Sequence, residues 1–154
     1  MKWVETPHQS GRDGKAVKVV VIHGDAGKSD AGTVSWIKAP ESKVSYHYLV
    51  GRDGEVYQFV DEAKKAWHAG ISDWPDCTVS KSVNAYSIGV SFANDGTEAY
   101  KPVQYVAGAK LVSEILKRYG LDHKAIVGHA DVSPGRKSDP WAHFDWTYFR
   151  SRLT

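Results

Sequence analysis

Short apolar runs along the chain predict the strands of a sheet. Residues 17–22 are almost wholly apolar and rich in β-branched side chains, a pattern typical of a strand covered on both faces in the middle of a sheet. Residues 87–92, Ser-Ile-Gly-Val-Ser-Phe, predict another core strand. Residues 46–50 and 55–60 are also strand-like, and the Gly-Arg-Asp-Gly segment between them predicts a β-hairpin. A last short apolar run, at 125–128, predicts a final strand.

Two stretches between these strands predict helices. Ser29 or Asp30 can cap a helix that runs to about Lys38. A longer helix is predicted from Pro102, because apolar residues then recur at spacings of three and four until Gly120, a residue type that commonly ends helices.

The remaining segments add one loop and one helix. Residues 61–84 carry no steady period and are interpreted as a long surface loop close to a functional site, and residues 146–153 predict a short last helix. Strands and helices alternate along the chain, which predicts an α/β fold with a central mixed β-sheet flanked by helices. No repeat or linker interrupts this pattern, so we expect a single domain over residues 1–154.

Composition excludes several classes of protein. Hydrophobic residues make up 42% and charged residues 25% of the chain, the balance of a globular protein rather than a disordered one. A formal net charge of +2 is too small to draw the protein onto nucleic acid. No stretch approaches the roughly 20 apolar residues of a membrane span, and the first residues lack the apolar core of a secretory signal. We therefore expect cytoplasmic synthesis, no stable membrane association, no nucleic-acid partner and a monomer.

Three residues have the spacing and chemistry of a metal site. His23 follows one predicted strand and His129 follows another, and open α/β sheets place their ligands at strand ends. Asp139 comes ten residues after His129, in a loop punctuated by Pro and Gly that can fold back. Two His and one Asp suit catalytic zinc, which takes three protein ligands and leaves one position for water. On spacing alone this is a hypothesis, because a histidine at a strand end is more often a hydrogen-bonded structural residue.

Two further residues can assist hydrolysis of an amide at such a metal. The reaction needs stabilisation of the tetrahedral oxyanion and a proton route to the leaving amine. The ammonium group of Lys137 and the phenol of Tyr46 can each supply either.

Several blocks of the sequence resemble one known family. They are Val-Val-Ile-His at 20–23, the strand and turn at 44–56, Ala-Trp-His-Ala-Gly at 66–70 with the segment 84–90, and the loop at 129–140 with its Pro-Gly-Arg-Lys-Ser-Asp-Pro run. In these blocks the chain is similar to type 2 N-acetylmuramoyl-L-alanine amidases, which include phage endolysins, intracellular muropeptide amidases and peptidoglycan recognition proteins. The resemblance extends over residues 19–146.

The resemblance implies a cofactor, a substrate class and a role for each candidate residue. It implies Zn²⁺ as the cofactor and peptidoglycan or a muropeptide as the substrate. The implied metal ligands are His23, His129 and Asp139, the catalytic residues Tyr46 and Lys137, and the substrate-binding residues Trp67, His68 and Asn84. Burial beneath the loop is the alternative explanation for Trp67.

The chain departs from many family members at two positions. Ser91 stands where an acidic residue is expected in the strand at 87–92, so a carboxylate base is absent there and catalytic assistance falls to Tyr46 and Lys137. The third implied ligand is Asp139 rather than the Cys of some branches. Cys77, the one cysteine of the chain, is therefore interpreted as incidental.

The resemblance leaves the biological setting open. We favour a phage-type endolysin that cuts the amide between N-acetylmuramic acid and L-alanine in the cell wall and leaves the cell through a separate pore, because no wall-binding module is present and because of Tyr46 and Ser91. The Lys-Ser-Asp run at 137–139 favours the alternative, a cytoplasmic amidase that recycles anhydro-muropeptides. A binding module on the same fold is a further alternative, although such members typically lose a metal ligand. A structural zinc domain is disfavoured because no fourth ligand is apparent.

Overall fold

The computed structural model describes residues 1–75 and 81–154; Cys77 lies outside these residues. The strands are β1 (Lys2–Trp3), β2 (Gln9–Gly11), β3 (Val19–Gly24), β4 (Tyr48–Val50), β5 (Val56–Gln58), β6 (Lys64–Ala66), β7 (Ser87–Phe92) and β8 (Ile126–Gly128). The helices are α1 (Asp30–Lys38), α2 (Pro102–Tyr119), α3 (His129–Val132) and α4 (Trp146–Ser151), with 3-10 turns at Val83–Tyr86 and His123–Ala125.

The sheet has six strands in the order β1-β5-β4-β7-β3-β8, and β2 pairs with β6 in a separate antiparallel ribbon. β3 lies between β7 and β8 and is parallel to both. β4 is parallel to β7 and antiparallel to β5, as the predicted hairpin requires. The expectation of a mixed α/β fold is therefore confirmed.

The two central strands are buried along their whole length. Every residue of β3 and β7 is buried, and successive side chains of a strand point to opposite faces of the sheet. Val20 and Ile22 pack in the cluster that contains residues of α2 and α4, whereas Val19 and Val21 pack on the opposite face against Val132 of α3. The continuous apolar run of β3 is thus the result of cover on both sides.

The predicted signals bound the main helices. Ser29 is the N-cap of α1 and accepts a hydrogen bond from the Gly32 N–H, which satisfies one of the free donors of the first turn. Pro102 opens α2, and Gly120 ends it in the left-handed conformation, with φ of 64°. Among the described residues, no helix is long and apolar enough to cross a membrane.

The interpretation of residues 61–84 as a surface loop is wrong in part. Lys64–Ala66 forms β6, which pairs with β2 near the start of the chain, and Val83–Tyr86 forms a 3-10 turn. His68 and Ala69 are buried within this segment. β2 and β6 are short and mostly polar, so they show no clear alternation in the sequence, and of their residues only Ala66 packs in a hydrophobic cluster.

Candidate active site

The metal triad, which we define as His23, His129 and Asp139, comes together at one end of the central strands. His23 lies near the carboxyl end of β3. Because β8 is parallel to β3 and Gly128 pairs with Ile22, His129 follows at the same edge of the sheet. The loop after α3 returns Asp139 to this point, where its backbone carbonyl accepts from the Ala130 N–H and its carboxylate accepts from the Gly24 N–H.

The donor atoms of the metal triad converge on a single point. The distance from His23 Nδ1 to His129 Nδ1 is 3.1 Å, and Asp139 oxygens lie 3.4 Å from His23 Nδ1 and 3.0 Å from His129 Nδ1. A zinc ion held at about 2.0–2.1 Å with tetrahedral angles keeps neighbouring ligand atoms about 3.3–3.4 Å apart. All three side chains are buried. The residues present therefore fit a metal ion in both donor type and spacing.

The opposite ring nitrogens of the two histidines also have partners. His129 Nε2 lies 3.0 Å from the Ala69 carbonyl oxygen, which can only accept, so a neutral His129 carries its proton there and keeps a lone pair on Nδ1. His23 Nε2 lies 2.8 Å from His68 Nδ1. Such outer contacts orient histidine ligands and fix their tautomers.

Burial and hydrogen bonding set the charges of His23 and Asp139 in the metal triad. It lowers the pKa of His23 from 6.5 to about 4, although hydrogen bonding to Asp139 acts in the opposite direction, so the imidazole is neutral at neutral pH. For Asp139, burial alone would raise the pKa, but the contacts with His129 and His23 outweigh it and hold the pKa well below its ordinary value. A neutral imidazole at His23 and a carboxylate at Asp139 are the ionisation states in which these two side chains can bind a divalent metal.

Tyr46 lies beside the metal triad. Its ring centroid is 5.2 Å from that of His23, and it lines the cleft together with His129 and Asp139. Ser91 pairs with His23 in the sheet register, and its buried hydroxyl has no hydrogen-bond partner among the described residues. Burial, together with the carboxylates of Asp25 and Asp139, raises the pKa of Tyr46 above its ordinary value. The phenol therefore stays protonated at neutral pH.

Lys137 is exposed and lines the same cleft. Its positive charge contributes to the lowered pKa of His23. Both predicted catalytic residues therefore line the cleft that His129 and Asp139 also line.

The three predicted substrate-binding residues all line the cleft, but each also has contacts within the protein. Trp67 Nε1 donates to Ser10 Oγ at 3.0 Å. Asn84 Oδ1 accepts from the Ala69 N–H at 2.9 Å. His68 contacts His23, as described above. These contacts hold the segment around residues 67–70 in position behind the metal triad.

The cleft has a volume of about 690 Å³ and contains groups that the sequence did not single out. Its additional lining residues include Asp25, Trp36, Arg136 and Trp141. The Asp25 carboxylate accepts from Thr33 Oγ1 at 2.5 Å and from the Asn94 N–H at 2.8 Å, and burial raises its pKa. A carboxylate two residues after a strand-end histidine is a signal that could have identified Asp25.

Comparison with known proteins agrees with this architecture. The family model described as N-acetylmuramoyl-L-alanine amidase matches residues 13–142. The chain belongs to this family. A curated member, the 1,6-anhydro-N-acetylmuramyl-L-alanine amidase AmpD of Citrobacter freundii, is 38% identical over 112 residues, which are 73% of this chain and 58% of that protein. The chain thus spans less than two thirds of the length of this curated relative.

Two solved structures of family members are similar to the whole fold. A selenomethionine derivative of AmpD has a TM-score of 0.80 and 29% identity, with 99% of this chain and 94% of that chain covered. The Escherichia coli amidase AmiD, in complex with the substrate anhydro-N-acetylmuramic acid-L-Ala-D-γ-Glu-L-Lys, has a TM-score of 0.78 and 31% identity, with 93% and 58% covered.

Proposed function

We propose that the protein is a zinc-dependent N-acetylmuramoyl-L-alanine amidase that acts on anhydro-muropeptides. The observation that carries the proposal is the convergence of His23, His129 and Asp139 on one point in a cleft, with donor atoms 3.0–3.4 Å apart, in a chain that belongs to this amidase family. A non-catalytic binding module is less well supported, since the complete metal triad is present and two further polar groups adjoin it.

The reaction adds water to an amide and breaks one C–N bond. The water oxygen bonds to the lactyl carbonyl carbon, and the L-alanine nitrogen leaves with a proton. The products are the muramic carboxylic acid and a peptide with a free amino terminus. A zinc ion held by the metal triad supplies Lewis-acid chemistry, which activates water and polarises a carbonyl.

Tyr46 and Lys137 divide the remaining tasks. The Tyr46 phenol, protonated and held beside His23, orients water and relays a proton towards the leaving nitrogen. Lys137 brings a positive charge to the same cleft and stabilises the oxyanion that develops on the carbonyl. Ser91 has no basic group at neutral pH, so the strand position that is acidic in many members takes up no proton here.

The comparisons favour the recycling amidase over the endolysin that the sequence led us to prefer. The C. freundii relative is named for a 1,6-anhydro-N-acetylmuramyl substrate, and the AmiD structure contains an anhydro-muramyl tripeptide. The Lys-Ser-Asp run at residues 137–139 had indicated the same branch. The proposed substrate is therefore a soluble anhydro-muropeptide rather than polymeric wall.

Product analysis by mass spectrometry tests the proposal. The zinc-loaded protein should release L-alanyl peptide from anhydro-N-acetylmuramyl tripeptide much faster than it clears intact sacculi. His129→Ala should lose both the metal, measured by elemental analysis, and peptide release. His123→Ala is the matched control, because His123 is an exposed histidine away from the cleft. Full activity of metal-free His129→Ala would exclude the proposed function, and faster clearing of sacculi would restore the endolysin.

A further inference from the structure

The backbone segment behind the metal triad contacts both histidines. His68 Nδ1 lies 2.8 Å from His23 Nε2, and the carbonyl oxygen of the next residue, Ala69, lies 3.0 Å from His129 Nε2. Two consecutive residues therefore hold the outer nitrogens of both histidine donors. The resemblance to the amidases had implied a substrate contact for His68, and the geometry gives it a different neighbour.

The protons in this arrangement can be assigned by elimination. If His23 presents its Nδ1 lone pair to a metal, its one proton is on Nε2 and is donated to His68 Nδ1. The single proton of His68 is then on its own Nε2, which lies 2.8 Å from Ser87 Oγ, and a hydroxyl oxygen can accept it. The contacts from Ser87 through His68 thus accommodate the tautomer in which His23 can bind a metal, and they hold the His23 ring with Nδ1 towards Asp139.

The fold encloses the His68 side chain. Its side chain is buried, and its ring lies against the backbone of Gly89 in β7. A Cβ atom at Gly89 would come within 2.5 Å of His68 Cγ, so only glycine leaves room for the ring. The Asn84 side chain accepts from the N–H of Ala69 and fixes the backbone of the segment.

We propose that His68 is a positioning residue of the metal centre, which sets the ring orientation and tautomer of His23. This inference rests on the proposed metal site. Partners of this kind typically change metal affinity by about 10- to 100-fold when they are removed. His68 acts through His23, and its own contact with substrate is not needed for the effect.

Two variants of nearly the same shape test the proposal. His68→Leu removes the acceptor next to His23, whereas His68→Asn can present an oxygen close to the position of Nδ1. The zinc dissociation constant is measured by competition with a chromophoric chelator, and the visible spectrum of the Co²⁺-loaded protein reports the ligand geometry. We expect zinc affinity to fall about 10- to 100-fold in His68→Leu, with an altered Co²⁺ spectrum, and to recover at least in part in His68→Asn.

Further variants separate positioning from a general loss of structure. Gly89→Ala displaces the His68 ring without removing any polar group and should also weaken zinc binding. His123→Leu, at an exposed histidine, should bind zinc as the wild type does. Circular dichroism of the metal-free proteins shows which variants are folded. If His68→Leu is not folded, Ser87→Ala, which removes only the hydroxyl that contacts His68, takes its place.

The outcomes distinguish this inference from the proposed function. If the wild type binds zinc tightly but folded His68→Leu binds it equally well, or if His68→Asn loses as much affinity as His68→Leu, the positioning role is overturned and the amidase proposal stands. If the wild type itself does not bind zinc, the metal site of the proposed function fails first.

Discussion

His23 and His47 make an instructive pair, because both are fully buried and burial lowers the pKa of both to about 4. His47 accepts from the Gly89 N–H on Nδ1, and its Nε2 lies 2.9 Å from the Lys64 carbonyl oxygen. Each of its nitrogens thus faces a backbone group of fixed polarity, and Nε2 also lies 3.1 Å from Arg12 Nη2. His23 instead turns Nδ1 towards another imidazole nitrogen and a carboxylate. Burial is common to the structural histidine and to the candidate metal ligand, and the groups that their ring nitrogens face distinguish the two.

The largest effects should come from replacing each of the two histidines, His23 and His47, by alanine. His23→Ala should lose stoichiometric zinc and all amidase activity, since one of three donors is removed. His47→Ala should keep zinc but lose about 1–3 kcal/mol of unfolding free energy, because two buried backbone groups lose their partner. Elemental analysis and urea denaturation measure the two quantities. A His47→Ala protein that is stable but does not bind zinc would contradict the assignment of His47 as a structural histidine.

Tyr46 allows the site to be tested without disturbing the donors. Tyr46→Phe keeps the ring beside His23 and removes only the hydroxyl, so zinc content should be unchanged. We expect kcat to fall by about 10²- to 10⁴-fold, the usual contribution of a positioned proton-transfer group. Steady-state kinetics on an anhydro-muropeptide measures this. Wild-type kcat in Tyr46→Phe would remove the phenol from the mechanism.

Acid should destabilise the metal-free protein through the buried histidines. The folded pKa of about 4 for His23 and His47 lies below the ordinary 6.5, so between these pH values the unfolded chain binds protons that the folded chain does not. Stability is therefore fully present above about pH 6.5 and is lost as the pH falls towards 4, by about 2 kcal/mol per histidine between pH 7 and pH 5. Urea denaturation at several pH values, with a chelator present, measures the slope.

A matched variant assigns part of that slope. His47→Asn should flatten the pH dependence of unfolding relative to the wild type, because one group that gains a proton on unfolding is gone. An unchanged slope would mean that His47 takes up no additional proton on unfolding, which would contradict a lowered pKa in the folded protein.

The smallest expected effect distinguishes the roles of Trp67 and His68, which are neighbours in sequence. Trp67 lines the cleft, whereas His68 contacts His23. Trp67→Phe keeps an aromatic wall and loses the N–H bonded to Ser10, so we expect KM to rise by about threefold with kcat and zinc affinity unchanged. A change in zinc affinity as large as that of His68→Leu would show that the two residues act together.

Much of the fold could be predicted because its signals are local. The β-branched runs of β3 and β7 and the cap residues Ser29 and Gly120 each act within a few residues of themselves. The ribbon of β2 and β6 could not be predicted, since it depends on pairing between short, mostly polar segments more than fifty positions apart.

The candidate site likewise contains residues that could be predicted from the sequence and a contact that could not. Strand ends are readable in a sequence and pointed to His23 and His129, and the Pro- and Gly-punctuated loop pointed to Asp139, but it was the resemblance to the amidases that made these three residues specific as ligands. Their roles as ligands remain predictions until a metal is measured. The contact between His68 and His23 was missed, because it depends on the space that Gly89 leaves on a different strand, and no spacing rule connects residues 68 and 89.

The parallel pairing of β3 with β8 has a consequence for the order of assembly. The two histidines are 106 residues apart in the chain, and the second one reaches the first only after β8 has docked at the edge of the sheet. A nascent chain that ends before β8 has His23 alone and cannot capture a metal with this set of donors. Metal loading at the proposed site would therefore be a late event that reports a completed fold, and a bound ion would close a long loop and oppose its reopening.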